Sequence, residues 1–233
     1  MEVINETETL HSQTTTIQLE RNDVVYVLHP RQIISFQGPS AAREDMLMDI
    51  AGIYRKRKLI QSRITGPAKF MLGLPVGYHL QTLPIVEDSD LLFEWKHVLF
   101  YTEGMHIERR VQTFKNAVIT KEIVKMKFTA KDGLLGIISS GPIYRMELHP
   151  EVPTYVDVNC LVAYPENARL KPCVYGNSLA SQQMNYQWEM TGRGYILLQT
   201  GKVDAQLERE MEGGGLIRRL LREVIPFGGV FIR

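Results

Sequence analysis

At 233 residues, with 44% hydrophobic and 23% charged residues, the chain has the composition of an ordinary globular protein and can build a core without disulfide or metal staples. Its net charge of +1 excludes a global field that would recruit nucleic acid or an anionic membrane, which leaves only local patches for that purpose. The acidic start Met1-Glu-Val-Ile-Asn-Glu-Thr-Glu has no apolar core segment, and no run reaches the ~18 apolar residues of a spanning helix.

Residues 1–16 are polar and Thr-rich and predict a loose arm, with a first strand from Ile17. Ser40 to Ile53 changes period: Met46, Ile50 and Ile53 fall at spacings of four and three behind a potential Ser40 cap, which predicts a short helix. The basic run Arg55, Lys56, Arg57 and Lys58 follows, then strand-like Leu59 to Ile64. From Phe70 to Tyr101 apolar segments alternate with Gly73, Pro75, Gly77, Pro84 and Asp88-Ser89-Asp90, the pattern of a meander of short strands. Met105 to Phe128 is strand-rich, with Glu122, Lys125 and Lys127 alternating against Ile123, Val124, Met126 and Phe128. A boundary near 113–121 divides a first β lobe, 17–116, from a second, 117–205. In the tail, 206–233, Gly213-Gly-Gly215 breaks a charged segment. Leu216, Ile217, Leu220, Leu221 and Val224 then share one helical face opposite Arg218, Arg219 and Arg222. Pro226 ends that helix, and Val230-Phe231-Ile232 reads as a final strand.

Two motifs recur. Tyr155-Val-Asp-Val-Asn-Cys-Leu-Val-Ala-Tyr164 aligns with Tyr26-Val-Leu-His-Pro-Arg-Gln-Ile-Ile-Ser35, so that Leu148 meets Leu19, Val156 meets Val27 and Val162 meets Ile33. It also aligns with Leu92-Phe-Glu-Trp-Lys-His-Val-Leu-Phe-Tyr101, where Asp157 meets Glu94 and Tyr164 meets Tyr101. Thr65-Gly66-Pro67, Ser140-Gly141-Pro142 and Thr191-Gly192-Arg193-Gly194 form the second series, each followed by an apolar run. A glycine turn, a fixed φ and β-formers together describe a repeated β unit. Two lobes and three copies do not agree neatly, and both descriptions stay open at this stage. Repeated β units leave strand edges that invite pairing, so the chain is expected not to be a monomer.

Gly133-Leu-Leu-Gly136, Ser140-Gly-Pro142, Tyr155-Val-Asp157, Leu161-Val-Ala163, Gly192 and Ile196-Leu-Leu-Gln-Thr200, in that order and spacing, resemble the altered inheritance of mitochondria protein twenty-four family, from about Ile17 to Thr200. The resemblance implies an all-β, duplicated, jelly-roll-like sandwich similar to the tryptophan RNA-binding attenuation protein, here with one or two short helices. It implies a ring-like homo-oligomer, a trimer, with no catalytic residues, and for mitochondrial members a connection with inner-membrane organisation. The chain departs from the family pattern in its basic Arg55–Lys58 run and in having little glycine before it. Its Gly-rich tail with a basic helix resembles a segment the family carries in its first lobe.

Spacing argues against several chemistries. The six histidines, His11, His29, His79, His97, His106 and His149, form no H-x-H or H-E-x-x-H arrangement; a metal site from distant strands, such as His97 with His106, is all that remains. There is no nucleophile elbow, phosphate loop or dinucleotide fingerprint. Cys160 and Cys173, the only cysteines, lack C-x-x-C spacing; with no secretion signal they read as reduced, which predicts a cytoplasmic location. No cofactor and no enzymatic activity are expected.

Two surfaces remain. Arg55–Lys58 is a candidate patch for phosphates or an acidic partner, set against an ordinary solvated loop. The Leu216–Val224 helix is expected to dock by its apolar face on its own protein or a neighbour, set against lying on a membrane. Trp95, Tyr101, Trp188 and Tyr195 are expected in cores or at the lobe interface. The reading is a non-enzymatic oligomeric β scaffold with an unknown protein partner. The alternatives are an RNA- or nucleotide-binding ring and a jelly-roll protein for a small molecule or metal.

Overall fold

The computed structural model describes residues 1–5, 13–47, 60–74, 76–112, 124–174 and 186–201, in which nineteen strands and four 3-10 turns form four antiparallel sheets. After β1 (Glu2–Asn5), the first unit runs β2 (Gln13–Leu19), β3 (Val24–Val27), a turn at Pro30–Gln32, β4 (Ile33–Gln37), β5 (Arg43–Leu47), β6 (Ile60–Thr65) and β7 (Ala68–Leu74). The second runs β8 (Tyr78–Ile85), β9 (Leu91–Glu94), a turn at Trp95–His97, β10 (Val98–Thr102), β11 (His106–Val111), β12 (Val124–Thr129) and β13 (Gly133–Ser140). The third runs β14 (Ile143–Glu147), β15 (Thr154–Asp157), a turn at Val158–Cys160, β16 (Leu161–Pro165), β17 (Arg169–Val174), β18 (Tyr186–Thr191) and β19 (Tyr195–Gln199).

The sheets show that these are three copies of one unit. Their strand orders are β1-β2-β7-β4, β5-β6-β3-β10-β13-β8, β11-β12-β9-β16-β19-β14 and β15-β18-β17. Each unit therefore places three strands in one sheet and three in the next. The 3-10 turn is where the chain crosses, from β3 to β4, from β9 to β10 and from β15 to β16. Neighbouring units share a sheet because β3 pairs with β10 and β9 pairs with β16.

A bulge recurs at the same place in each copy. The register shifts between Ile33 and Ser35, between Val98 and Phe100, and between Leu161 and Ala163. Ile34, Leu99 and Val162 are thus equivalent residues. The sequence alignment of Val162 with Ile33 is off by one after the turn, because the first unit carries one extra residue, His29, between β3 and β4.

Strand character follows side-chain alternation where one face is wet. In β7, Ala68, Phe70, Leu72 and Leu74 are buried and Lys69 is exposed. Where both faces are covered the strand is continuously apolar, as in β10 (Val-Leu-Phe-Tyr-Thr) and β16 (Leu-Val-Ala-Tyr-Pro). Three cores result. One holds Ile17, Val27, Phe70, Leu99 and Phe100; the next Phe93, Val98, Phe128, Leu135 and Val162; the last Val156, Leu161, Trp188, Met190 and Ile196. Each draws on two consecutive sheets.

The all-β expectation holds, with three local differences. Ser40–Ala42 is a 3-10 turn and Arg43–Leu47 is strand β5, not the start of a helix. β5 pairs residue for residue with β6, and Ser62 hydrogen-bonds to Asp45, so ladder bonding outweighs the weak helical spacing of Met46. The loose arm expected over 1–16 is partly sheet: β1 pairs with β2, whose β-branched Thr15 and Thr16 are buried. Of the glycine turns, Thr65-Gly66-Pro67 and Thr191–Gly194 are equivalent, each joining the last two strands of its unit. Ser140-Gly141-Pro142 instead joins the second unit to the third. The boundary expected near 113–121 lies outside the described residues, in the stretch between β11 and β12.

Gly136 sits opposite Phe100, and a Cβ there would overlap the ring. Gly136→Ala is therefore expected to cost about 1–3 kcal/mol through overpacking, read as a lower denaturant midpoint at unchanged m-value. Wild-type stability would show that β10 and β13 are not tightly packed within the second unit.

Candidate functional site

Two features stand out among the described residues: a buried charged cluster in the middle unit, and the outer strands at either end of the repeat. The cluster follows from pairing β9 with β12, which sets Lys125 directly opposite Glu94. Lys125, one of the alternating charged positions of its strand, is only 1% exposed and forms an ion pair with Glu94. Lys96 Nζ reaches Glu94 Oε2 at 3.1 Å, and His97 Nε2 lies 3.9 Å from the same oxygen. Burial raises the Glu94 carboxyl, but the Lys125 and Lys96 ammoniums beside it outweigh this and hold it below its usual range.

Removing Lys125 alone would leave the buried Glu94 carboxylate with Lys96 as its remaining ammonium partner, a milder change than breaking a buried pair outright, which costs about 3–5 kcal/mol. At the equivalent positions of the third unit Asp157 faces Gln187. The ion pair thus belongs to the middle unit, and the aligned Glu94 and Asp157 were its only trace in the sequence.

His97 donates from Nδ1 to the Ile138 carbonyl at 2.9 Å, and its Nε2 makes no hydrogen bond. Burial lowers its pKa to about 4, with Lys96 adding to the effect. His29 packs edge-on against Trp95 of the next unit at 5.9 Å, its Nε2 buried, and burial lowers it to about 4 as well.

The junctions between units share a design. Tyr26 stacks on Tyr101 at 5.0 Å across the first. Leu28 N–H donates to the Leu99 carbonyl and Glu103 N–H to that of Val24; at the second junction Glu166 N–H donates to Asp90. A basic residue on one unit meets an acidic one on the next at the same position, Arg63 with Glu103 at 3.4 Å and Lys127 with Glu166 at 2.9 Å. Its hydrogen bond to Lys127 holds the Glu166 carboxyl below its usual range.

At the two ends this arrangement stops. Among the described residues β4 is an outer strand of the first sheet and β15 of the fourth. Ile34 is 57% exposed, whereas its equivalents Leu99 and Val162 are 0% exposed. Ser35 is exposed, whereas Phe100 and Ala163 are buried. On β15, Asp157 is exposed where Glu94 and Leu28 are buried.

The candidate patch Arg55, Lys56, Arg57 and Lys58 and the docking-helix residues Leu216, Ile217, Leu220, Leu221 and Val224 lie outside the described residues. Trp188 and Tyr101 are buried as expected, and Tyr195 lies beneath the Arg145 guanidinium at 3.6 Å. Cys160 and Cys173 are both half-buried. Among the described residues no group of three or more His, Cys, Asp and Glu is placed to hold a metal.

Fold and ends define a class: an all-β protein of like units that share sheets with their neighbours. The chain belongs to the mitochondrial biogenesis AIM24 family, which it matches over residues 5–201. Its fold is similar to that of protein SPYM3_0169 from Streptococcus pyogenes, at a TM-score of 0.63 and 13% identity, over 96% of this chain and 99% of that one. No curated protein matches the chain.

The buried histidines make stability depend on pH. An imidazole at about 4 when folded and 6.5 when unfolded takes its proton first in the unfolded chain. Stability is therefore full above 6.5 and falls as pH drops from 6.5 towards 4, by roughly 3 kcal/mol for His97. The melting temperature should drop between pH 7.5 and pH 5. His97→Asn, which keeps a donor for Ile138, should flatten that slope. An equal slope in this variant would mean that His97 does not titrate in this window.

Proposed function

We propose that this protein is a non-enzymatic β scaffold that assembles with copies of itself through the ends of its repeat. The observation that supports this is the contrast between β4 and its equivalents: Ile34 is 57% exposed where Leu99 and Val162 are wholly covered by the preceding unit. An open edge carrying apolar side chains is a template for another strand, and the same chain supplies a mate for it. Closed assembly satisfies every such edge at once, and a trimer is the order that the family resemblance suggests.

The family description supports a role related to mitochondrial biogenesis. By resemblance we take the scaffold to serve membrane-associated organisation through protein contacts; no helix among the described residues is long and apolar enough to cross a membrane. For its compartment we take the cytoplasm, on the low cysteine content and the absence of C-x-x-C spacing between Cys160 and Cys173.

Light scattering at micromolar concentration should give a mass that is a multiple of 26.7 kDa. Ile34→Lys places a charge on the exposed bulge of β4 and should reduce that mass to one chain while leaving the far-ultraviolet spectrum unchanged. A wild-type mass of 26.7 kDa would overturn the oligomer reading.

A further inference from the structure

The structure points to a head-to-tail contact, in which β15 of one copy pairs with β4 of the next in the register of the internal junctions; this rests on the oligomer reading above. Inside the chain the same two kinds of strand already meet twice. Val25, Tyr26 and Val27 stand opposite Thr102, Tyr101 and Phe100. Leu91, Leu92 and Phe93 stand opposite Pro165, Tyr164 and Ala163. The strand before a turn therefore pairs antiparallel with the strand after the next turn. β15 is the last strand of the first kind and β4 is the first of the second kind. Each is an outer strand among the described residues, so each has the surface that the other's equivalents cover.

Carrying the register over sets Thr154 opposite Gln37, Tyr155 opposite Phe36 and Val156 opposite Ser35 of the next copy. The Tyr26–Tyr101 stack becomes a Tyr155–Phe36 pair. The bond from Leu28 N–H to Leu99 becomes one from Asp157 N–H to the Ile34 carbonyl. The bonds from Glu103 and Glu166 become one from Gly38 N–H to the Pro153 carbonyl. Ile34 then enters a core beside the third unit, as Leu99 and Val162 do beside the first and second. One element is not reproduced: Glu189 stands where Arg63 and Lys127 do, and Gly38 where Glu103 and Glu166 do, so the contact between copies lacks the cross-junction ion pair. The contact is heterologous, with different surfaces on its two sides, and successive copies either close a ring or continue as a filament.

Paired cysteines test the register. In a Cys160→Ser, Cys173→Ser background, Gln37→Cys with Thr154→Cys places thiols on directly opposed residues, within disulfide reach across an antiparallel pair. Mild oxidation should convert most of the protein to covalent multimers on a non-reducing gel. Ser35→Cys with Thr154→Cys, two residues out of register, should stay largely uncrosslinked, as should either cysteine alone. The wild-type mass is measured alongside. An oligomer without the Gln37→Cys/Thr154→Cys crosslink overturns this contact and leaves the oligomer reading standing. Crosslinking by Gln37→Cys alone overturns it in favour of like-with-like pairing, and a disulfide closed within one chain overturns it in favour of a self-closed repeat. A monomeric wild type overturns both readings.

Discussion

The structure depends on the antiparallel ladder that joins the strand before one turn to the strand after the next. Without β3·β10 and β9·β16 each unit would be two small half-sheets with little to hold them together. With those ladders the half-sheets of neighbouring units become six-stranded sheets, and the cores form between consecutive sheets. The 3-10 turns and the bulges after them let one chain serve two sheets, since a strand that must change sheet needs a sharp local bend. The stability of any unit is thus tied to its neighbours, as in other repeat proteins, where interfaces between units are a main source of stability.

That dependence gives the ends of the repeat their significance. A terminal unit has the same backbone pattern as an internal one but lacks one neighbour, and its side chains show the difference. Val98-Leu99-Phe100-Tyr101 is buried throughout, while Ile33-Ile34-Ser35-Phe36 is half-buried or exposed. The composition of β4 fits an edge covered by a partner of moderate apolarity, since Ile34 and Phe36 are kept while Ser35 replaces a phenylalanine. The middle unit differs in another way. Its Glu94–Lys125 pair places charge between strands that are apolar or neutral at the equivalent positions of the first unit, where desolvation offsets much of the attraction between the two groups.

Much of this organisation was legible before any coordinates. The strand–turn–strand motif stood out in three copies because both of its strands are rich in β-branched and aromatic residues and the turn between them has nearly constant length. The extra His29 was not legible, because one inserted residue in a turn leaves both flanking patterns intact and shifts only their relation. Period alone misread Ser40–Leu47, where Arg43, Asp45 and Leu47 alternate with Glu44 and Met46 without a clear apolar face; pairing with β6 decided the outcome. Lys125 was hidden for a related reason, since alternation marks it as polar but cannot tell a solvated position from one facing a buried glutamate. The exposed ends had only a faint signature in the sequence, Ser35 where β10 has Phe100, which gains its meaning once the missing neighbour is seen. The basic run and the tail helix are surfaces that composition alone nominates, and they lie outside the described residues.

Amide hydrogen exchange, followed at several protein concentrations, tests most directly whether the terminal strands complete the same ladder as the internal ones. The account predicts that the amides of 33–37 and 154–157 are protected in the assembled protein to a degree approaching 98–102 and 161–165. It further predicts that this protection is lost on dilution while the internal strands keep theirs. Rapid exchange of 33–37 and 154–157 at every concentration, beside slow exchange of 98–102 and 161–165, would contradict it.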